Sequence, residues 1–206
     1  MRSQTKKLSR EFFEQPAEVV APALLGCHLV IDDHAANRVE ARLVEVEAYL
    51  GTSDPASHAF RGPTPRAAVM FGPPGHLYVY LSYGIHHCVN IVTNPDEVAG
   101  AVLLRSAEVV SGHSVVRRRR RAPLVADHAL LSGPGNLGKG LELSRDDNGM
   151  DLFGSQSRML LFQERMDGVI DVTRRIGVTR GADALLRFSI RGHPAVSART
   201  GQKPGT

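Results

Sequence analysis

Residues 43–49 read Leu-Val-Glu-Val-Glu-Ala-Tyr and form the centre of a run, Val39–Tyr49, that predicts a β-strand. Side chains alternate between the two faces of a strand, so Glu45, Glu47 and Tyr49 share one face and the apolar residues between them share the other. The ordinary interpretation of such a pattern is a half-exposed strand with two solvated glutamates. The alternative is a carboxylate that lies beside an aromatic ring in a functional site.

The distribution of the tyrosines favours the second interpretation. All four lie within the 35 positions from Tyr49 to Tyr83, and the chain has no tryptophan. Three of them belong to residues 76–83, His-Leu-Tyr-Val-Tyr-Leu-Ser-Tyr, which together with residues 85–93 predict two strands separated at Gly84. Tyrosines grouped in this way are more typical of a surface that stacks nucleic-acid bases than of a packed core.

Further elements are predicted around these strands. Residues 11–25 predict a short amphipathic helix that Pro22 bends or ends. A Gly/Pro/Ser-rich loop covers residues 51–74, with a short break at residues 67–71, and a loop of this length in a compact domain is usually functional or disordered. The remaining predictions are strands at Cys27–Ile31, Gly100–Leu104 and Leu185–Ile190, and a helix after a glycine-rich turn within Gly133–Leu143.

Length and composition limit the class of protein. With 206 residues, the chain is long enough for one buried core, and we expect a single domain over residues 1–206. Its 42% hydrophobic and 22% charged residues exclude collagen-like, wholly disordered and membrane classes. The basic N-terminus lacks the apolar centre of a secretion signal, which predicts a cytoplasmic protein. The net charge of +4 permits anionic partners without requiring them.

The two ends of the chain and one insert are expected to be mobile. The termini are predicted to fray at residues 1–9 and 200–206. A solvated insert is predicted at residues 111–126, which contain the five arginines Arg117–Arg121. Those arginines either support DNA binding without sequence preference or contact only solvent.

Metal and disulfide chemistry are not indicated. Cys27 and Cys88 lack CxxC spacing and are expected to be buried thiols. The nine histidines include the adjacent pair His86 and His87, whose side chains would point to opposite faces of a strand, and the sequence has no metal-binding motif. We therefore expect no metal and no cofactor.

Five blocks of sequence carry a family resemblance. The blocks are VEVEAYLGTSDPASHAFRGPTPRAAVMFGPPGHLYVYLSYGIHHCVNIV at residues 44–92, AGAVLLRSAE at 99–108, LLSGPGNLGKGL at 130–141, RRIGV at 174–178 and LLRFSIRGHPAVS at 185–197. In this order they resemble the alkyladenine (3-methylpurine) DNA glycosylase family. The resemblance is weakest at the N-terminus, in the arginine-rich insert and in the C-terminal tail.

The resemblance implies a fold and a reaction. The fold is a single α+β domain, in which helices surround a curved antiparallel β-sheet and a β-hairpin protrudes from a DNA-binding face. The family's general base matches Glu47, which would activate a water molecule, and Arg105 and the carbonyl of Ile176 match the groups that hold this water. An arginine beside a glutamate also favours the ionised carboxylate.

The resemblance assigns a base-binding pocket as well. Tyr49, His58 and Tyr80 match the residues that sandwich a flipped base. Asn90 matches an asparagine that rejects guanine by a clash with its 2-amino group.

Four further residues are candidates for contact with DNA. By the resemblance, Tyr83 matches a tyrosine that wedges into the duplex, and Met70 matches a methionine of the neighbouring loop. The glycine-rich segment has two open interpretations: either the amide of Gly135 and the side chain of Lys139 contact a phosphate at a helix start, or the segment is only a turn.

The implied function is that of a monofunctional DNA glycosylase in base excision repair. The substrate would be 3-methyladenine, with 7-methylguanine, hypoxanthine and ethenoadenine as further candidates. No lysine matches a pocket position, so water is the expected nucleophile, without a Schiff base. The expected partner is duplex DNA with damaged purines, and we expect a monomer that is not membrane-bound and is nucleoid-associated if bacterial. His86 and His87 replace aromatic residues common in the family, which leaves the substrate range open.

Two other functions compete with this one. A catalytically silent protein of the same fold would bind lesions without cutting them. An RNA-binding module would use the tyrosines as a stacking platform, but it would leave the glutamate unexplained.

Overall fold

The central feature of the fold is one antiparallel sheet. The computed structural model describes residues 6–32, 37–164, 166 and 168–197. Among these residues, nine strands join into the sheet, and every pair of neighbours is antiparallel. The strands are β1 (Lys6–Lys7), β2 (His28–Ile31), β3 (Val39–Tyr49), β4 (Leu77–Ser82), β5 (His86–Val92), β6 (Ala101–Ser111), β7 (Met159–Gln163), β8 (Ile170–Thr173) and β9 (Arg187–Ile190).

The strand order places β3 at the centre of the sheet. The hydrogen-bonded order is β1-β7-β2-β3-β6-β5-β4, and β9 pairs with both β3 and β8. β3 pairs with β6 along most of its length, while β9 pairs with residues 45–47. Register shifts between β3 and β6 at Leu43/Glu45 and Glu45/Val46 indicate a β-bulge, which bends a strand and re-aims its side chains. The segment around Glu47 is therefore held by backbone hydrogen bonds on both sides.

Helices in the described residues are few and short. They are α1 (Arg10–Phe13), α2 (Ala17–Leu24), α3 (His113–Arg120) and α4 (Pro134–Leu141), with 3₁₀ turns at Gly51–Ser53, Ala68–Phe71, Asp127–Ala129 and Arg145–Asp147. Among the described residues, no helix has the length and apolar character that a membrane span requires. The prediction of a mixed α/β domain built on a large antiparallel sheet is confirmed.

A three-residue connection, Tyr83 to Ile85, joins β4 to β5. Tyr83 and Gly84 both have positive φ, 50° and 72°, as a type I′ hairpin turn requires. The N–H of Ile85 closes the turn by donating to the carbonyl of Ser82 at 3.0 Å. Positive φ is unfavourable for a tyrosine, so the turn holds Tyr83 in a strained conformation at the tip.

The arginine-rich insert is helical in the structure. Its residues 113–120 form α3, with Val115 and Val116 buried against the core. The side chain of Arg119 is only 6% exposed and pairs with Glu142 at 2.8 Å, and Arg120 donates to main-chain carbonyls at the end of the next loop. The prediction of a solvated insert is therefore wrong for residues 113–120. Two valines of this segment pack against the core, so the arginines belong to an amphipathic helix.

Three other sequence predictions need correction. Residues 6 and 7 pair with β7, so fraying at residues 1–9 is wrong for this part, and residues 1–5 and 200–206 lie outside the described residues. β6 continues to Ser111 and does not end near Arg105, because its pairing with β3 extends as far as Ser111. β7 and β8 were not predicted.

Cys27 and Cys88 are free and buried, as predicted.

Candidate active site

A cavity of about 760 Å³ opens beside β4 and β5. It is formed by segments far apart in sequence, which the sheet and the 51–74 loop bring together. Eight of the predicted site residues line it: Tyr49, His58, Met70, Tyr80, Tyr83, Asn90, Arg105 and Ile176. Their catalytic and binding roles remain predictions, but the structure gathers them in one place.

Glu47 lies immediately behind this cavity. Its side chain is 0% exposed. Its carboxylate accepts hydrogen bonds from two residues and forms an ion pair with a third, and all three of these residues line the cavity. The hydroxyl of Tyr49 donates to Oε2 at 2.9 Å, the N–H of Ile176 donates to Oε1 at 2.8 Å, and Nη1 of Arg105 lies 3.2 Å from Oε1. Each carboxylate oxygen has two lone pairs, so Oε2 retains an acceptor position.

Two details of the predicted arrangement change. The strand pattern by itself suggested solvated glutamates, but Glu45 and Glu47 are both fully buried. The resemblance assigned a role to the carbonyl of Ile176, whereas it is the N–H of this residue that contacts Glu47. The role of the carbonyl stays a prediction.

Glu45 is the centre of a buried network that sequence reasoning missed. Nε of Arg105 and Nε of Arg187 each donate to its Oε1 at 2.8 Å. Its other oxygen accepts from the hydroxyl of Ser106 and the N–H of Ser197, both at 2.7 Å. Burial alone would raise the pKa of this carboxyl, but Arg105 and the other donors hold the pKa at about 2. Glu45 is therefore ionised at neutral pH.

The ring of Tyr49 packs against a second buried ion pair, between Arg175 and Asp54, which sequence reasoning also missed. The guanidinium of Arg175 lies 4.6 Å from the centre of the Tyr49 ring and donates to Asp54, with Nη2 to Oδ1 at 2.8 Å. Burial raises the pKa of Tyr49 well above its usual value, and the neighbouring Glu47 adds to this effect. The hydroxyl thus stays protonated at neutral pH and remains a donor to Glu47.

Aromatic side chains form another part of the cavity wall. The rings of His58 and Tyr80 pack edge to face, with centroids 4.6 Å apart and an interplanar angle of 80°. Nδ1 of His58 lies 2.9 Å from the hydroxyl of Tyr78, a buried residue without a predicted role. The guanidinium of Arg66 lies 5.0 Å from the centre of the Tyr80 ring, at the edge of the cavity.

His58 is expected to titrate far below an ordinary histidine. Burial, assisted by the charge of Arg66, lowers its pKa to about 4. A lowered pKa means that the folded state favours neutral imidazole, so this stabilisation is complete above about pH 6.5 and fades as the pH falls towards 4. Heteronuclear NMR titration of the imidazole should show neutral His58 at pH 5, and Arg66→Gln should raise the midpoint. A midpoint near 6.5 would contradict the buried environment.

Asn90 is fixed within the cavity wall. It is buried on β5, and its side-chain Nδ2 donates to the main-chain carbonyl of Tyr78 on β4 at 3.0 Å. The pairing of these two strands thus sets the orientation of the amide.

The two residues predicted for intercalation have opposite environments. Tyr83 is 89% exposed at the tip of the β4–β5 turn, and the neighbouring Ile85 is also exposed. Met70 is only 2% exposed and packs in a small apolar cluster with Tyr78 and Val92. The 3₁₀ turn that carries Met70 places its side chain in the wall of the cavity that Tyr83 also lines, and its position beside an inserted wedge stays a prediction.

The glycines of α4 have a packing role in the structure. A Cβ at Gly135 would lie 2.6 Å from the ring of His86, and one at Gly138 would lie 2.3 Å from the carbonyl oxygen of His87. Close contact between α4 and β5 therefore requires glycine at both positions. Lys139 is exposed on the same helix. Phosphate contact by Gly135 and Lys139 stays a prediction.

Metal-binding clusters were sought across residues 6–32, 37–164, 166 and 168–197. Within these ranges, no three His, Cys, Asp or Glu side chains are grouped so that they could hold a metal ion.

Comparisons with known proteins agree with the geometry. A family model described as "Methylpurine-DNA glycosylase" matches residues 11–194. Three relatives are provisionally named 3-methyladenine DNA glycosylase. The protein from Corynebacterium jeikeium is 48% identical, covering 94% of this chain and 93% of its own length. The one from Corynebacterium efficiens is 47% identical over 92% and 95%, and the one from Cutibacterium acnes is 47% identical over 88% and 95%.

Proposed function

The chain belongs to the methylpurine-DNA glycosylase family, and on this premise we propose that it is a DNA-3-methyladenine glycosylase, which removes damaged purines by hydrolysing their N-glycosidic bond with a water activated by Glu47. Such an enzyme acts in base excision repair. The observation that carries the proposal is the buried carboxylate of Glu47, which accepts hydrogen bonds from Tyr49 and Ile176 and pairs with Arg105, three residues that line a cavity of about 760 Å³.

The first step of this function is extrusion of the damaged nucleotide from the duplex. Extrusion costs a few kcal/mol of lost stacking and pairing. Tyr83, exposed and held at positive φ at the tip of a tight turn, can fill the gap that the nucleotide leaves. Its exposure supports this role, because an aromatic side chain with 89% of its surface in water gains from burial between bases.

The second step is recognition of the extruded base. The cavity offers the rings of Tyr49, His58 and Tyr80, and stacking on aromatic rings contributes roughly 1 to 3 kcal/mol per base. The candidate bases are 3-methyladenine, 7-methylguanine, hypoxanthine and ethenoadenine. The side-chain amide of Asn90, which lines the cavity and donates to the Tyr78 carbonyl, would clash with the 2-amino group of guanine.

The third step is hydrolysis. As the bond between C1′ and the base nitrogen breaks, its electron pair leaves with the base, and positive charge develops on the sugar. A water between the cavity and Glu47 loses its proton to the carboxylate while its oxygen bonds to C1′. The ionised carboxylate also stabilises the oxocarbenium character. Since no described residue in the cavity lining is a lysine, water is the proposed nucleophile, without a Schiff base.

A panel of lesions tests this function directly. The protein should excise at least one of the four candidate bases from duplex DNA under single-turnover conditions, and alkali treatment should reveal the abasic product. Undamaged duplex and undamaged guanine should resist. Binding of lesion duplex without any excision would instead identify a catalytically silent lesion-binding protein of the same fold.

A further inference from the structure

Glu45 is the second buried acid on the catalytic face of β3. Its two oxygens accept from five donors: the hydroxyl of Ser197 donates to Oε1 at 2.8 Å, in addition to the four contacts from Arg105, Arg187, Ser106 and the Ser197 amide. A carboxylate offers about four lone-pair positions, so all of them are in use. Glu45 therefore has no acceptor position left for the proton of a water, whereas Oε2 of Glu47 has one hydrogen-bond donor, the hydroxyl of Tyr49.

The network determines how Arg105 faces the reaction site. Nε of Arg105 is bound to Glu45 at 2.8 Å, and in this orientation of the planar guanidinium Nη1 lies 3.2 Å from Glu47. Nη2 lies 3.4 Å from the hydroxyl of Ser197. Arg105 therefore contacts both glutamates, and its contact with Glu45 at 2.8 Å is shorter than its contact with Glu47 at 3.2 Å.

The charge of Glu45 also limits the attraction between Arg105 and Glu47. Without that charge, two buried arginines, Arg105 and Arg187, would share the remaining nearby acid, Glu47. Arg105 would then shift towards Glu47 and form a bidentate pair, the preferred geometry of arginine with a carboxylate. That shift would cover the acceptor positions that a water needs.

We propose that Glu45 is a positioning residue for the glycosylase reaction: it holds Arg105, with the help of Ser197, so that the guanidinium borders the Glu47 carboxylate without occupying it. This inference rests on the proposed function, since it assigns Glu47 as the base. It adds a requirement for two residues that do not line the cavity, Glu45 on β3 and Ser197 in the segment after β9.

The test compares Glu45→Gln with wild type in single-turnover excision and in binding. Displacement of a catalytic group by about 1 Å can cost 10²-fold, so the excision rate should fall by roughly 10- to 100-fold. Affinity for a duplex with a 2′-fluoro hypoxanthine nucleotide, which resists hydrolysis, should stay within about twofold because no cavity-lining group is removed. Asp147→Asn, which weakens the remote ion pair with Arg158, is the control and should keep the wild-type rate.

A double-mutant cycle separates positioning from general stabilisation. If Glu45 acts through Arg105, Glu45→Gln should cause no further loss of rate in an Arg105→Gln background. Ser197→Ala, which leaves Glu45 charged and is expected to fold, should give a smaller loss that disappears in the same background. Independent, multiplying losses, or wild-type rates for both single variants, would overturn the inference. An inactive wild type would instead contradict the proposed function itself.

Discussion

Glu47→Gln should lower the single-turnover rate of base excision by about 10² to 10⁴-fold, the usual contribution of a general base. Glutamine has nearly the same shape, and its amide oxygen can still accept from the N–H of Ile176 and from Arg105. Its NH₂ group can donate to the Tyr49 hydroxyl, so the hydrogen bond at 2.9 Å can be kept with reversed direction. The variant loses only the negative charge and the ability to take a proton from water.

Because the change is confined to charge and basicity, affinity for the lesion should survive it. Binding to duplex DNA that contains hypoxanthine should remain within a few-fold of wild type, measured under conditions where excision is negligible. Glu40→Gln is the matched control, since it makes the same substitution on the same strand, where Glu40 contacts His28 at the opposite end. Full excision by Glu47→Gln would remove this residue from the mechanism.

The sequence was sufficient to place the main parts of the site. Alternation along Val39–Tyr49 predicts that Glu45 and Glu47 share a face, and the structure agrees in the strand bounds. The tyrosine-rich block and Gly84 likewise predict two strands and the turn between them. Such predictions succeed because strand periodicity and turn residues are local properties of the chain.

The environment of that face could not be predicted in the same way. A two-residue period shows that Glu45 faces one side of a sheet, but it does not show what covers that side. The covering groups, Arg105, Arg187 and Ser197, lie 60, 142 and 152 residues away in sequence. The one local signal was the pair of acids at positions 45 and 47, since two acids on one face of a central strand require buried partners.

The arginine run was misjudged for a related reason. Charge density predicts solvent exposure, but the four arginines of α3 have carbonyl, carboxylate and amide partners on neighbouring segments. These contacts join the helix to other segments of the chain, and no local pattern contains them.

Asp54→Ala should lower the free energy of unfolding by about 3 to 5 kcal/mol, because removing one partner of a buried ion pair leaves the other charge uncompensated. The side chains of Arg175 and Asp54 are 0% and 3% exposed. The carboxylate also accepts from the backbone N–H groups of Leu50 and Ala56, at 3.2 and 3.0 Å. The loss would be a large part of the 5 to 15 kcal/mol that stabilises a typical domain. Urea unfolding at pH 7 measures it.

The pH dependence of this loss identifies its cause. Burial alone would raise the pKa of Asp54, but the hydrogen bonds from Arg175 and from two backbone amides hold it below the usual 3.8. A lowered acid pKa contributes stability that is present above about pH 3.8 and disappears as the pH falls through the folded value. The difference between wild type and Asp54→Ala should therefore shrink in acid. Asp183→Ala, which breaks an exposed pair with Arg174, should leave the unfolding midpoint unchanged.

The same substitution connects stability with catalysis. Arg175 lies against the Tyr49 ring and directly precedes Ile176, and these two neighbours both donate to Glu47. An unpaired Arg175 would move towards water and take both donors with it, so the folded fraction of Asp54→Ala should also excise more slowly. If the variant unfolds like wild type and excises at the wild-type rate, Asp54 neither stabilises the fold nor keeps Tyr49 and Ile176 in place beside Glu47. Reduced stability with unchanged excision by the folded fraction would limit its role to the fold.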